Sequence, residues 1–156
     1  MRAVIQRVRG ASVSVNHDVV GTIFGPGLVV YVGISVDDDI SKCSLLAEKI
    51  WRLRIFENES LKSQGIEIDS TVVEVCAADG NLPILLISQF TLFADTSRGR
   101  RPTWHQAAPG AQAEPLFNSL VDSFKELGAT VATGQFGADM LINQLNDGPM
   151  TISLEV

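Results

Sequence analysis

The sequence predicts an α+β fold, an antiparallel sheet or partly closed β-barrel with two helices packed on it. Three observations carry this reading. Most apolar segments alternate with a period of two or run unbroken over the length of a strand. Two segments change to helical spacing, with apolar residues three and four apart. The strands follow one another through short polar turns rather than alternating with helices, which disfavours a parallel βαβ arrangement.

In chain order, "MRAVIQRV" places Ala3, Ile5 and Arg7 on one face and Val4, Gln6 and Val8 on the other. "ASVSVN" sets Val13 and Val15 against Ser12 and Ser14, and "DVVGTI" follows a turn at Asn16-His17-Asp18. The unbroken run "GLVVYVGI" at 27–34 reads as a central strand buried on both faces. Cys43, Leu46, Ala47, Ile50 and Leu53 recur at helical spacing, so a helix is expected over 40–53. One of Asp37 to Asp39 caps it, where the helix dipole favours negative charge. Residues 57–70 show no clean period and read as a loop. "TVVEVC", the turn "AADGN" and "PILLISQFTLFA" give a strand, a hairpin and a long buried strand. "DTSRGRRPTWHQAAPG" is polar, basic and rich in Pro and Gly, an exposed loop. Leu116, Phe117, Leu120, Val121, Phe124 and Leu127 stripe a second helix over 111–127, with Gly128 as its stop. "ATVATGQF", "DMLINQLN" and "PMTISLEV" end the chain as strands, the last two separated by a turn signal at Asp147-Gly148.

The 156 residues fit one domain, 1–156, with a globular composition of 46% hydrophobic and 19% charged residues. The net charge of −6 argues against a protein that coats nucleic acid with a basic face, so any nucleic-acid contact must be local. Cys43 and Cys76 lack CxxC spacing and read as reduced core residues of a cytosolic protein. The start "MRAVIQRVRG" has no apolar signal-peptide core, and no run approaches the ~18 apolar residues of a membrane span. A cytoplasmic protein without membrane contact is expected.

The familiar catalytic motifs are absent: no GxSxG, no Walker A, no HExxH, no paired CxxC. "GPGLVV" lacks the third glycine of a dinucleotide loop and opens a strand. No residues cluster with metal-ligand spacing, so neither metal nor cofactor is expected. Of the two histidines, His17 reads as a solvated turn residue, and His105 is either a base or a bystander in the basic loop. Catalysis would have to lean on backbone groups, on the substrate, or on both.

Two stretches are odd. "SQFTLFAD" puts Ser88, Gln89 and Thr91 into an apolar strand. As a strand it would turn Gln89 and Thr91 to one face and Ser88 and Phe90 to the other, and the polar pair could simply meet solvent. "NDGPMT" follows a turn signal with Pro149, which has no N–H to give a sheet; a strand that merely begins at Pro149 is the bland alternative.

Together "SQFTL" and "NDGPMT" resemble the two signature motifs of the D-aminoacyl-tRNA deacylases. "MRAVIQRV", "GRRP" at 99–102, "AEPLF" at 113–117 and "GQFGADM" at 134–140 match that family in order and spacing. "ESLKSQGIEIDS" departs from it, as do Phe93 and Met150 more mildly. The resemblance implies a metal-free homodimeric esterase, a two-helix α+β domain that hydrolyses D-amino acids mischarged on tRNA. It implies that Ser88, Gln89, Phe90 and Thr91 line the catalytic pocket. Gly148, Pro149 and Met150 would bind substrate. In the family the Gly-Pro peptide is cis and enters the other subunit's site, where its carbonyls seat the α-hydrogen and ammonium of a D-residue and collide with an L side chain.

Backbone N–H groups around Gln89 to Thr91 would supply the oxyanion donor, and the 2′-hydroxyl of the terminal adenosine would assist the water. Arg98, Arg100 and Arg101 are candidate tRNA phosphate contacts, with a solvated basic loop as the alternative. Two other classes stay open: a non-catalytic dimeric module that binds an RNA end or small ligand, and a conventional Thr or His hydrolase of another ester.

Overall fold

The computed structural model of the chain describes residues 1–68, 71–97 and 99–156. Seven strands and three α-helices appear among them: β1 (Arg2–Val15), β2 (Asp18–Gly33), α1 (Ser41–Trp51), β3 (Arg54–Glu57), α2 (Asn58–Ser63), β4 (Glu74–Cys76), β5 (Ile84–Ser88), α3 (Gly110–Glu126), β6 (Val131–Thr133) and β7 (Leu141–Glu155). The class is α+β. Five strands form one sheet in the order β6-β5-β2-β1-β7, and β3 pairs with β4 apart from it.

The sheet is mixed rather than antiparallel throughout. β1 runs antiparallel to both β2 and β7, whereas β5 joins β2 in parallel and β6 joins β5 in parallel. The connections explain this. α1 with the β3–β4 pair, and then α3, carry the chain back across the sheet before each parallel strand, as parallel pairing requires. The segments expected as four short strands at the start are two long ones. They meet at the Asn16-His17 turn, whose φ values of 50° and 74° suit the right-handed twist of a tight hairpin.

A bulge in β1 changes which residues face inward. Ala3 and Ile5 lie in the core under the helices, but Val8, Ala11 and Val13 belong to a second core cluster on the other face. Between Val8 and Ala11, β1 carries one residue more than β7, and one extra residue reverses the side-chain alternation. The second cluster is completed by Ile23 and Val29 of β2 and by Leu85 and Ile87 of β5. β5 is thus buried on both faces, with Ile84 and Leu86 in the first core.

The helices lie where expected. α1 buries Cys43, Leu46, Ala47, Ile50 and Trp51, and α3 buries Ala113, Phe117, Leu120, Val121 and Phe124. Each large apolar side chain so covered contributes about 1.5–3 kcal/mol over its exposed state. Asp39 Oδ1 accepts from the Ser41 N–H at 2.8 Å where α1 begins, but the N-cap is Ile40 rather than one of Asp37 to Asp39 and has no side-chain capping bond. Both cysteines are free and buried. Three expectations fail locally: residues 57–70 are not all loop, since α2 occupies Asn58–Ser63; β3 was not foreseen; and the turn "AADGN" closes no hairpin, because β4 pairs with β3 while β5 joins β2 and β6.

Candidate active site

The stretch "SQFT" does not continue as strand. β5 ends at Ser88, which pairs with Val32. Gln89 leaves the strand at φ −146° and ψ 86°, its N–H still bound to the Val32 carbonyl at 2.7 Å. A 3-10 turn then spans Phe90–Phe93. Phe93 is buried, and the Arg2 guanidinium lies 4.5 Å from its ring centre while Arg2 Nη1 donates to the Leu92 carbonyl at 3.2 Å. The alternation that would have put Gln89 and Thr91 on one face is broken by this turn.

The turn creates unpartnered donors. Leu92 N–H bonds to the Gln89 carbonyl and Ala94 N–H to that of Thr91. The first N–H groups of a helical turn have no acceptor within it. Those of Phe90 and Thr91 donate to no other group among the described residues. Gln89 N–H is not available in the same way, being taken by Val32.

Ser88, Gln89 and Phe90 line a cavity of about 430 Å³. Val32 of β2 and Ile34 just after it, Ala108, Gly110 and Ala113 around the start of α3, and the segment 136–140 with Ile142 complete the lining. Phe136 anchors that wall, packing on Phe117 of α3 with ring centres 6.0 Å apart. The lining is mostly apolar, and Asp139 is its one ionisable residue. Thr91 does not line the cavity. Its hydroxyl accepts a hydrogen bond from the Gln89 side-chain amide, a partner that cannot act as a base. Phe136 and Met140 were not singled out from the sequence as site residues; the signal was the quoted "GQFGADM" itself.

"NDGPMT" is not a hairpin. β7 runs through it as one strand, in which Asn146 pairs with Val8 and Thr151 with Gln6. Residues 147–150 therefore stand opposite Arg7 alone, a wide bulge on the outermost strand. Pro149 costs the ladder nothing there. The Gly148–Pro149 bond is cis, and Gly148 holds φ +123°, a conformation L side chains rarely adopt.

Arg7 fills the bulge. Its Nε donates to the Asp147 carbonyl at 3.2 Å and its Nη1 to the Ile55 carbonyl at 2.6 Å. Asp147 also forms ion pairs with Arg7 at 3.6 Å and Arg9 at 3.2 Å. From the alternation alone Arg7 is only a residue on one strand face, so its bracing role was missed. Met150 packs against the first core, while Gly148 and Pro149 are exposed. Neither lines the cavity of its own chain, so one protomer does not bring the two signature motifs together.

The basic loop leaves the cavity rim. Asp95 and Thr103 pair through two backbone bonds of 2.7 and 3.0 Å, closing the loop at its base. Arg100 and Arg101 are exposed on it, and Arg98 lies outside the described residues. His105 is exposed beyond the base of the loop. Hydrogen bonds from Ser97 hold the Asp95 carboxyl below its ordinary value, and His105 adds to this. Among the described residues no three His, Cys, Asp or Glu side chains gather as a metal site would need.

The D-Tyr-tRNA(Tyr) deacylase family profile matches residues 4–155. A D-aminoacyl-tRNA deacylase from Streptomyces coelicolor is 48% identical over 156 residues, covering 100% of both chains. The solved structure of the c-Myc DNA Unwinding Element Binding Protein superposes with a TM-score of 0.85 at 36% identity, over 100% of this chain and 99% of that one. A probable eukaryotic D-amino acid tRNA deacylase superposes with a TM-score of 0.82 over 99% of this chain and 98% of that one, and at 16% identity it bears on the fold alone. With a match over nearly its whole length and a full-length relative at 48% identity, this chain belongs to the D-Tyr-tRNA(Tyr) deacylase family of hydrolases.

Proposed function

We propose that this chain hydrolyses the ester of D-aminoacyl-tRNA in the cytoplasm, releasing the D-amino acid and free tRNA. The observation that carries the reading is the unpartnered N–H of Phe90, a residue lining a cavity otherwise poor in catalytic side chains, with the unpartnered N–H of Thr91 next to it on the same turn. Water adds to the ester carbonyl, and the resulting oxyanion accepts from these two N–H groups. The ribose 2′-hydroxyl relays the proton of the water to the departing 3′-oxygen. The C–O bond breaks, leaving a free 3′-hydroxyl and the amino-acid carboxylate. Ser88 and Gln89 hold the substrate against the turn. No side-chain nucleophile takes part, because the Thr91 hydroxyl faces an amide rather than a base.

The chain acts as a homodimer in which Gly148 and Pro149 of one subunit enter the cavity of the other and exclude L-residues, with Met150 anchoring the segment in its own core. Support comes from their exposure and from β7, whose outer edge pairs with no strand among the described residues. Leu141 and Leu145 on that strand are exposed as well. Such a filter spares achiral glycine, so mischarged glycyl-tRNA is a second substrate. Arg98, Arg100 and Arg101 meet backbone phosphates, and no metal takes part.

The test is release of free amino acid from D- and L-aminoacyl-tRNA. Selective hydrolysis of the D-ester is expected, and absence of release would overturn the reading. Mixing a Gly148→Ala chain with a Gln89→Ala/Phe90→Ala chain should restore part of the activity through hybrid dimers. A fully active monomer in sedimentation refutes completion of the site in trans.

A further inference from the structure

Two aromatic side chains at the cavity rim are left without a role by the hydrolysis itself. Phe90 is 57% exposed and Trp104 is 39% exposed, and their rings meet edge to face at 5.6 Å and 66°. The chain's other tryptophan, Trp51, is 4% exposed in the core under the helices. Two exposed aromatic rings packed on one another, one of them lining a cavity, are a candidate ligand contact. Here the ligand's chemistry is constrained from two sides. Phe90 lines the cavity that takes the ester. Trp104 directly follows Thr103, whose backbone pairs with Asp95 to close the loop that carries Arg100 and Arg101. Aromatic faces beside guanidinium groups on an acidic protein fit a single strand with unstacked bases and charged phosphates.

We propose that Trp104, supported by Phe90, is a stacking platform for a base of the single-stranded 3′ end of tRNA. In sequence the platform lies between Arg100 and Arg101, the proposed phosphate contacts, and Ala108, which lines the cavity. The inference rests on the proposed deacylase reading and adds to it a binding residue of stated chemistry. An edge-to-face contact covers at most one face of the indole, and the backbone pairing of Thr103 with Asp95 holds the start of that segment in place. Stacking tolerates any base, so the platform registers the strand without reading its sequence. A duplex end, with its bases already stacked, has no free face to offer.

The experiment uses a short single-stranded RNA ending in cytidine-cytidine-adenosine, labelled with fluorescein at its 5′ end, and follows anisotropy with the full chain. Trp104→Ala should raise Kd about tenfold, the weakening expected for one lost base stack, and Trp104→Phe should recover most of it. In hydrolysis of D-aminoacyl-tRNA, Trp104→Ala should raise KM to a similar degree and leave kcat in place. The dependence of Kd on salt should be unchanged in Trp104→Ala and flatter in Arg100→Gln/Arg101→Gln, which separates stacking from phosphate contact. Wild-type affinity in Trp104→Ala, or failure of Trp104→Phe to recover binding, would overturn the platform. If wild-type chain hydrolyses the D-ester while Trp104→Ala leaves both Kd and KM unchanged, the platform is wrong and the deacylase reading stands. If Trp104 governs RNA binding but no amino acid is released, the deacylase reading fails and the platform stands.

Discussion

Adding a single methyl group at Gly33 should injure catalysis more than folding. Gly33 ends β2 beside the point where β5 gives way to the 3-10 turn. A Cβ built there would lie 3.0 Å from the Gln89 carbonyl oxygen, 3.0 Å from Leu92 Cβ and 3.1 Å from Phe93 Cδ2. All three atoms belong to the segment that carries the Phe90 and Thr91 N–H groups. At such distances the neighbours must give by a few tenths of an ångström. Overpacking of this kind costs about 1–3 kcal/mol, a fall in Tm of about 2–12 °C for a chain of this length. A 1 Å misplacement of a reacting group costs about a hundredfold, so a shift of a few tenths should lower kcat by about three- to tenfold. Gly27→Ala is the control. Its Cβ would meet the Pro83 carbonyl oxygen at 2.5 Å, a worse clash at the other end of the β2–β5 pairing. Gly27→Ala should therefore lose at least as much Tm and keep kcat when assayed well below its melting point. The measurements are thermal melts and single-turnover hydrolysis of D-aminoacyl-tRNA by both variants. A Gly33→Ala chain that melts lower yet turns over at the wild-type rate would refute the placement of the oxyanion donors on this turn.

Three further outcomes are expected. Arg7→Ala leaves the Ile55 carbonyl without its donor while Asp147 keeps Arg9, and in this partly buried setting should cost about 1–3 kcal/mol by urea denaturation, with Arg7→Lys in between because an ammonium cannot span both acceptors. Burial raises the Asp38 carboxyl, but Lys42, the Met1 ammonium at 2.7 Å and the Ser35 N–H outweigh this and hold it below its ordinary value. Its stabilisation is thus present above about pH 3.9 and lost as pH falls through the lower folded value, so Asp38→Asn should lie below wild type at neutral pH by a gap that closes in acid melts. His105→Ala and treatment with a chelator should each leave hydrolysis near the wild-type rate, well short of the loss of about a hundredfold or more that removal of a general base brings.

The helices, the buried central strands and the hairpin turn were legible because each is written in local periodicity or in one turn signal. What escaped was decided by pairing. A run such as "PILLISQFTLFA" stays apolar on both sides of Ser88, Gln89 and Thr91, so those polar residues read as a strand face rather than as the end of the strand at Ser88; that end depends on Gly33 across the pair, where the missing Cβ lets the turn settle onto β2. "NDG" carries a genuine hairpin signal, yet Asn146 and Thr151 both find partners on β1, and the turn becomes a bulge in a strand that continues. The parallel addition of β5 and β6 was equally invisible, since parallel and antiparallel buried strands share one composition. The signature motifs were legible as resemblance, but Arg7, Trp104 and Met140 gain their places only once the register is known.

That register links the two signature motifs more closely than their sequence separation suggests. β1 serves both halves of the site. Arg2, at its start, bonds the Leu92 carbonyl and covers Phe93, bracing the 3-10 turn proposed to hold the oxyanion donors. Arg7, five residues on, braces the Asp147–Gly148 corner and shares Asp147 with Arg9. Arg7 lies on the helix-side face only because the bulge that reverses the alternation comes after Val8. Were the reversal to occur two residues earlier, the guanidinium would turn to the opposite face, away from the Ile55 carbonyl, and the bulge of β7 would lose its filling. The presentation of Gly148 and Pro149 is therefore set by the register of a strand at the other end of the sequence. In the proposed chemistry, which relies on backbone groups, that register takes the place that pKa tuning holds in sites built from acids and bases.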